Sequence, residues 1–353
     1  MQTSISRRHL LRLALVPASA ALVPGAVSAG TEQIAFEGFI PAGGIDQWVA
    51  IRGRDRTRTP LLFLHGGPGE AQSPFLPIFA PWEERFVVAQ WDQRGTGRTF
   101  GRHGVDTPNM SLDQMARDVV DIAGYVLDQL DARQLVLVGH SWGTILGLSA
   151  VGLRPELFSA FVGSGQVASG AGIFEEIRSS AIARATTAGD DEAVAALTAL
   201  NLRNPDLTDM RELAVLFRWD PGFPPVDLAF LRSRGALLGF PDDPASDAAA
   251  DFFASNPDPR NPEARPFSLL RLWPDIHAFD AVSIAKNLPI PFFVIHGRED
   301  TRTPPAAARA LVDAVTAPAK RFTLIDGGHF ACFSNPTGFL DALDSDLRSV
   351  GIG

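Results

Sequence analysis

Short runs of apolar residues alternate along the chain with segments of helical periodicity. Apolar positions recur at helical spacing from Ser111, the expected N-cap, to Leu130. Continuous apolar strands separated by helices predict a mostly parallel sheet with helices on both faces. Six runs have the length and continuity of buried strands: Leu61–Leu64, Phe86–Trp91, Leu135–Val138, Phe158–Val162, Pro291–Ile295 and Phe322–Ile325.

The alternation stops between about Gly165 and Ala285. A stretch rich in proline, aspartate and asparagine at 240–266 carries six acidic residues, and its composition predicts a solvated acidic loop. We therefore predict a core from 30–165 and 286–353, and a helical cap at 166–285 inserted between late strands. The periodicity predicts four helices in the cap: Phe174–Thr186, Asp190–Leu200, Asp209–Trp219 and Asp227–Leu238.

The N-terminal residues 1–29 have the layout of an export signal. Arg7 and Arg8 precede a short apolar segment, and small residues lead to Ala29. The paired arginines resemble a twin-arginine signal. The apolar segment is too short and too interrupted by proline to span a bilayer comfortably, which disfavours a membrane anchor. We expect cleavage near Ala29 and a periplasmic or secreted protein with no stable membrane anchoring.

Charge and cysteine content exclude several classes of function. The 353-residue chain has a formal net charge of −9, which argues against nucleic-acid binding because that function needs dense Lys and Arg. Cys332 is the single cysteine, so the chain has no intramolecular disulfide. No spacing resembles a zinc site or a phosphate-binding loop, and we expect neither a metal nor a cofactor.

The segment Gly139-His140-Ser141-Trp142-Gly143 follows a predicted strand and opens a predicted helix. A serine on such a sharp turn can be a nucleophile if a base lies beside it. Gly327-Gly328-His329 follows the last strand, which makes His329 the expected base. Asp300 follows the preceding strand and is the expected orienting acid, with Glu299 as the weaker alternative.

The order Ser141, Asp300, His329 is the chain order of the α/β-hydrolase fold, which we therefore predict. Acyl transfer in that fold needs two backbone N–H donors for the oxyanion. The N–H after the nucleophile belongs to Trp142. The second should come from the loop after the first predicted strand, where Pro68 cannot donate. Gly67 is the expected donor, with Gly66 as the alternative.

Five motifs together resemble the proline iminopeptidase (prolyl aminopeptidase) family of α/β-hydrolases: His65-Gly-Gly-Pro-Gly69, Trp91-Asp-Gln-Arg-Gly-Thr-Gly-Arg98, Gly139-His-Ser-Trp-Gly143, Gly297-Arg-Glu-Asp300 and Gly327-Gly-His329. The resemblance implies a serine peptidase that removes an N-terminal residue, typically proline, from short peptides. It also implies that the segment from Asp92 to Arg94 braces the oxyanion loop and does not react.

In that family, carboxylates of the cap bind the ammonium group of the substrate. The resemblance makes Asp220, after Arg218 and Trp219, the nearest match. Substitutes for a second acid are Glu175, Glu176 and Asp275, for each of which solvation on a helix surface is the favoured alternative role. A carboxylesterase or lactonase with an apolar acyl pocket is the alternative on the same scaffold, acting on a small ester or amide. A non-catalytic binding protein of this fold is a third hypothesis, which the complete triad disfavours.

Overall fold

The structure is a computed structural model that describes residues 32–71, 73–202, 211–220, 222–238, 261 and 263–353. The predicted export signal and most of the predicted acidic loop at 240–266 lie outside these residues. Nothing in the described part of the chain forms a helix that could cross a membrane. Nor do its His, Cys, Asp and Glu side chains gather into a group that could hold a metal ion.

The fold is built on one eight-stranded sheet with the order β1-β2-β4-β3-β5-β6-β7-β8. From β4 to β8 across the sheet neighbouring strands are parallel, whereas β2 pairs antiparallel with both β1 and β4. The strands span β1 Ile34–Ala42, β2 Ile45–Gly53, β3 Pro60–Leu64, β4 Val87–Asp92, β5 Leu135–His140, β6 Phe158–Ser164, β7 Phe292–Gly297 and β8 Lys320–Ile325.

Helices connect the parallel strands, and the longest insertion lies between β6 and β7. The helices of the described residues are α1 Ala80–Glu83, α2 Gly97–His103, α3 Leu112–Leu130, α4 Trp142–Leu153, α5 Gly170–Ala188, α6 Asp191–Ala199, α7 Arg211–Trp219, α8 Pro225–Leu238, α9 Ala264–Ala278, α10 Ala281–Ala285, α11 Pro305–Ala314, α12 Ala331–Ser334 and α13 Pro336–Arg348. Short 3₁₀ segments precede α1, follow α2 and precede β6.

Side chains of the parallel strands alternate between two hydrophobic cores. Leu62 and Leu64 of β3 pack into the core under α3 and α4, whereas Leu61 and Phe63 pack into the core under α1 and α13. This period of two, with apolar residues at every position, is the pattern of a strand covered on both faces. The observed architecture therefore confirms the predicted sheet with helices on both faces.

All six predicted strands are present, but the sequence analysis missed the hairpin formed by β1 and β2. Its turn is Gly43-Gly44, and both residues have positive φ angles of 56° and 81°. Two consecutive residues with positive φ form the tight turn that matches the twist of a hairpin, which glycine adopts without strain. The paired glycines were therefore the signal for this hairpin.

The predicted cap helices are present as α5 to α8, with bounds that differ by at most four residues at the N-terminal end and two at the C-terminal end. The prediction of a loop that extends to residue 266 is wrong at its end, because α9 already begins at Ala264. Two prolines in α9 had argued against a helix here. Pro266 lies in the first turn, where no N–H is needed, and Pro274 lies inside the helix. Trp273 of α9 packs with α5 and α6 in a small core within the cap.

Polar loops meet at the carboxyl ends of β3 to β8, and a buried ion pair supports one of them. Arg94 follows β4 and is fully buried with Asp118 of α3. Arg94 Nε lies 2.7 Å from Asp118 Oδ2, and Arg94 also donates to the carbonyls of Gly43 and Pro108. Breaking such a pair by removing one partner costs about 3–5 kcal/mol. The pair therefore holds the segment after β4 firmly against the fold.

Candidate active site

Ser141 lies on a strained turn between β5 and α4. Its backbone has φ 53° and ψ −119°, a conformation that residues with a side chain rarely adopt. The N–H of Ser141 donates to the carbonyl of Ser164 at 2.9 Å, and Thr144 donates through N and Oγ1 to the carbonyl of Ser141. These bonds hold the turn in place and present the side chain at the sheet edge.

The glycines around Ser141 are required by close packing. A Cβ on Gly143 would lie 2.1 Å from the carbonyl oxygen of Leu64, and a Cβ on Gly139 would lie 2.5 Å from that of Gly143. Neither glycine has a positive φ angle. The residue that carries the backbone strain is Ser141 itself, and the glycines allow β3, β5 and α4 to approach closely enough to impose it.

His329 and Asp300 form the histidine–carboxylate pair that the sequence predicts. His329 lies between β8 and α12, and its Nδ1 is 3.0 Å from Asp300 Oδ2 and 3.1 Å from Oδ1. An ionised carboxylate only accepts, so Nδ1 carries the proton and Nε2 is left to accept one. Glu299 is exposed, and the structure does not bring it to His329.

Asp300 is buried but remains ionised because donors surround it. The backbone N–H groups of Arg302 and Thr303 donate to Oδ1 at 2.8 and 2.9 Å, and Thr303 Oγ1 donates to Oδ2 at 2.7 Å. His296 Nε2 lies 3.2 Å from Oδ2. Burial raises the pKa of Asp300, but the charge of His329 and the histidine hydrogen bonds outweigh it and hold that pKa well below its ordinary value.

The same pairing makes His329 a stronger base. Burial lowers the pKa of His329, whereas the charge of Asp300 and its hydrogen bond raise it, and the net effect is a pKa above the ordinary value of 6.5. Ser141 and His329 both line one pocket. No hydrogen bond joins Ser141 Oγ to the imidazole in this structure. Contacts of this kind commonly tighten only when substrate binds.

The two predicted oxyanion donors line the same pocket. Gly67 and Trp142 both contribute to its lining, and Gly66 does not. Gly66 is nevertheless tightly placed, because a Cβ there would lie 3.0 Å from His140 Nδ1 and 3.4 Å from Ser141 Cβ. The structure therefore places Gly67, and not its alternative Gly66, at the pocket surface.

Gln93 joins the oxyanion loop, residues 65–69 with the predicted donor Gly67, to the turn at Ser141. Its Nε2 donates to the carbonyl of His65 at 3.1 Å, and its Oε1 accepts from Trp142 Nε1 at 3.0 Å. Its backbone N–H donates to His65 Nε2 at 3.3 Å, while His65 Nδ1 donates to the carbonyl of Gly66. Burial lowers the pKa of His65 to about 4, so this imidazole is neutral at pH 7. Within the segment from Asp92 to Arg94, Gln93 is thus the residue that contacts both the loop at 65–69 and Trp142.

The pocket has a volume of about 650 Å³ and lies between the sheet edge and the cap. Apolar side chains contribute to its lining: Ile145, Val167, Ile173, Phe174, Ile177, Leu269, Trp273 and Ile276. Charged side chains contribute as well: Glu70, Arg218, Asp220, Arg265 and Arg302. The pocket can therefore hold an apolar group and a charged group next to Ser141.

The two acids predicted to bind a substrate amine differ in position. Asp220 lines the pocket, but its carboxylate forms an ion pair with Arg302 and accepts from the N–H of Gly222 at 3.0 Å. Glu175 is exposed on α5 and pairs with Arg178, away from the lining of the pocket. The geometry therefore does not support Glu175 as an amine ligand, because helix periodicity turns that position outward.

Sequence reasoning missed Glu70 in the pocket. It follows the His65-to-Gly69 motif directly, so its position beside the oxyanion loop was a readable signal. Burial raises the pKa of Glu70 above its ordinary value, although the charges of Arg265 and His329 lower it in part. Arg265 and Arg302 were missed as well, because only the tertiary fold brings α9 and the loop after β7 to the pocket.

The chain is similar in sequence and in fold to known hydrolases. Residues 59–336 match the alpha/beta hydrolase fold family. Over 137 residues the chain is 34% identical to a probable aminopeptidase, YbaC, of Bacillus subtilis. The matched segment is 38% of this chain and 43% of that protein. Curated proline iminopeptidases match as well. The matched segments span less than half the length of these curated relatives.

Two solved structures share the fold over nearly the whole chain. A proline iminopeptidase-related protein of Thermus thermophilus has a TM-score of 0.59 and 18% identity, covering 89% of this chain and 98% of its own. An enol-lactonase of Burkholderia xenovorans has a TM-score of 0.57 and 18% identity, covering 88% of this chain and 100% of its own. At such identities the likeness shows the fold alone.

Replacing Gln93 by leucine should lower kcat/KM about 100-fold on any substrate that is turned over, because the oxyanion loop and Trp142 would lose their common brace. Steady-state kinetics would measure the loss. Gln47→Leu is the matched control, since Gln47 is also buried and accepts from Trp91 Nε1 at 3.0 Å, away from the pocket. Equal activity of the two variants would contradict the bracing role.

Proposed function

The chain belongs to the alpha/beta hydrolase fold family, and on that premise we propose that it is a serine hydrolase, specifically an exported aminopeptidase. It releases an N-terminal residue of the proline type from short peptides through an acyl-enzyme at Ser141. The observation that carries the proposal is that Ser141 and His329 line one pocket, while Asp300 Oδ2 lies 3.0 Å from His329 Nδ1.

In the proposed mechanism, Ser141 Oγ attacks the carbonyl carbon of the substrate while His329 Nε2 takes the hydroxyl proton. Asp300 stabilises the resulting imidazolium and keeps its own charge. The backbone N–H groups of Gly67 and Trp142 donate to the oxyanion. His329 then gives its proton to the leaving amine, and a water molecule hydrolyses the acyl ester by the same steps in reverse.

Glu70 is the carboxylate that we propose as the ligand of the substrate ammonium. In an aminopeptidase the ammonium group lies on the carbon next to the attacked carbonyl, so its ligand must lie near the nucleophile. The point where a Gly66 side chain would begin lies 3.4 Å from Ser141 Cβ and 3.5 Å from Glu70 Oε2. A charge-assisted hydrogen bond to Glu70 would hold the amine at this position.

A carboxylesterase or lactonase is the second candidate function. The observation that favours it is the apolar part of the pocket lining, in which Phe174 stacks on Trp273 with ring centroids 4.3 Å apart. An acyl chain or an apolar ring would pack against these side chains without a charged ligand. The similarity to an enol-lactonase structure is consistent with this alternative at the level of the fold.

Purified protein should cleave prolyl and alanyl arylamides that have a free amine, and blocking the amine should stop the cleavage. Short acyl esters assayed beside them test the alternative, and ester turnover without amide turnover would favour it over the aminopeptidase. Ser141→Ala should reduce every activity by about 10⁴-fold or more, since the nucleophile is lost. Full activity of that variant would refute the assignment of Ser141.

Glu70→Gln should lower kcat/KM for free-amine arylamides about 10- to 100-fold, because a hydrogen bond to a charged group is lost. Turnover of short acyl esters should change little, since they carry no amine. Glu175→Gln is the matched control, because Glu175 is exposed and paired with Arg178. If the two glutamine variants behave alike on the arylamides, Glu70 is not the amine ligand.

We also propose export of the folded protein, supported by the paired arginines before the short apolar segment. Replacing Arg7 and Arg8 together by lysine should retain the protein in the cytoplasm of a host with twin-arginine export. Cell fractionation followed by immunoblotting would measure the distribution. A variant exported as well as the wild type would rule out the twin-arginine route.

A further inference from the structure

We infer that Asp227 of the cap is a positioning residue that holds the catalytic histidine loop in its working arrangement. The inference rests on the proposed role of His329 as general base. Asp227 lies in the first turn of α8 and is fully buried. Its Oδ2 accepts from the backbone N–H of His329 at 2.6 Å, and its Oδ1 accepts from that of Phe330 at 3.2 Å.

Gly328 gives this carboxylate the room it needs. A Cβ at Gly328 would lie 2.3 Å from Asp227 Oδ2 and 2.6 Å from its carboxyl carbon. Any side chain at residue 328 would therefore displace the Asp227 carboxylate from this position. The glycine before His329 and the aspartate on α8 form one arrangement, although the two residues are 101 positions apart in the chain.

Three contacts fix His329, and each comes from a different part of the chain. Asp300 after β7 orients the imidazole, and Asp227 of α8 holds the backbone N–H. His140 at the end of β5 donates from Nε2 to the carbonyl of His329 at 2.8 Å. Burial lowers the pKa of His140 to about 3, so it makes this bond as a neutral imidazole. Of the three contacts, the cap supplies the one made by Asp227.

Aromatic side chains of the cap pack on the loop that Asp227 holds. Phe223 packs on Phe330 with ring centroids 5.0 Å apart, and Phe230 packs on Phe330 at 5.9 Å. Burial and the charge of Asp300 raise the pKa of Asp227, the charge of His329 and the two backbone hydrogen bonds lower it, and the net effect is a pKa above the ordinary value. The hydrogen bonds to the loop and the charge of His329 thus offset part of the cost of burying this carboxylate.

Several charged or titratable groups face His329 from different elements. Asp300 and Asp227 favour its protonated form, and Arg302 opposes it. His140 packs against the His329 ring at 4.9 Å between centroids, and Glu70 acts on it from the oxyanion loop. Asp227 is thus a second carboxylate that makes His329 a better proton acceptor, besides fixing its backbone.

Asp227→Asn should lower kcat about 10- to 100-fold with KM changed less than about threefold, since the base loop is displaced whereas the lining residues of α4, α5 and α9 stay in place. The acidic limb of the kcat/KM profile should move to lower pH, because a charge that raises the pKa of His329 is removed. Asp227→Glu should lower kcat but keep the position of that limb, because it retains the charge and changes the reach.

Asp346→Asn is the matched control. Asp346 is a buried carboxylate of α13 that accepts from Arg321, and it does not line the pocket. This variant should keep the wild-type kcat and pH profile even if it is less stable. An Asp227→Asn protein with wild-type kcat and acidic limb would overturn the inference. If that variant does not fold, a wild-type kcat for Asp227→Glu overturns it.

A second readout separates this inference from the proposed function. Labelling the ring carbons of the seven histidines allows the His329 imidazole to be titrated by nuclear magnetic resonance without any substrate. Its pKa should be lower in Asp227→Asn than in the wild type or Asp346→Asn. If the wild-type protein hydrolyses none of the substrates but the His329 pKa still falls in Asp227→Asn, the proposed function is refuted and the role of Asp227 stands. An unchanged pKa would overturn the electrostatic part of the inference.

Discussion

The hydrogen bond between Asp300 and His329 is the interaction on which the rest of the site depends. A carboxylate in a buried position would normally take up a proton, and it would then no longer be a pure acceptor. The donors from Arg302, Thr303 and His296 prevent this by stabilising the charge. Because Asp300 stays ionised, the proton of His329 stays on Nδ1, and Nε2 faces the pocket as an acceptor. The strained turn at Ser141 has chemical value only beside such a base.

The sheet and the positions of Ser141, Asp300 and His329 were predictable because their signals are local and strong. The strands β3 to β8 are largely apolar, and these three residues each follow one of them within three positions of a glycine. The hairpin of β1 and β2 was missed although Gly43-Gly44 marks its turn and β2 contains the buried apolar run from Trp48 to Ile51. Its partner β1 lacks such a run, because its positions alternate between exposed and partly buried. Helix α9 was missed because Pro266 and Pro274 mask its periodicity.

Residues of the pocket were harder to predict because their roles arise from tertiary contacts. Asp220 reached the pocket but meets Arg302 there, and no local pattern announces a partner 82 positions away. Asp227 reads in sequence as an ordinary acidic residue in the first turn of a helix. Its contacts with His329 and Phe330 exist only after α8 has packed on the core.

The contact made by Asp227 has a consequence for how such an enzyme can diversify. If the cap met the core only at the pocket, it would behave as a module that recombination could exchange for another while the chemistry stayed intact. Here an exchange of the cap would remove Asp227 and its hydrogen bonds to the His329 loop. The space beside Gly328 would then be unfilled. New specificities are therefore more accessible through side-chain replacements within the existing cap than through transplantation of a foreign one.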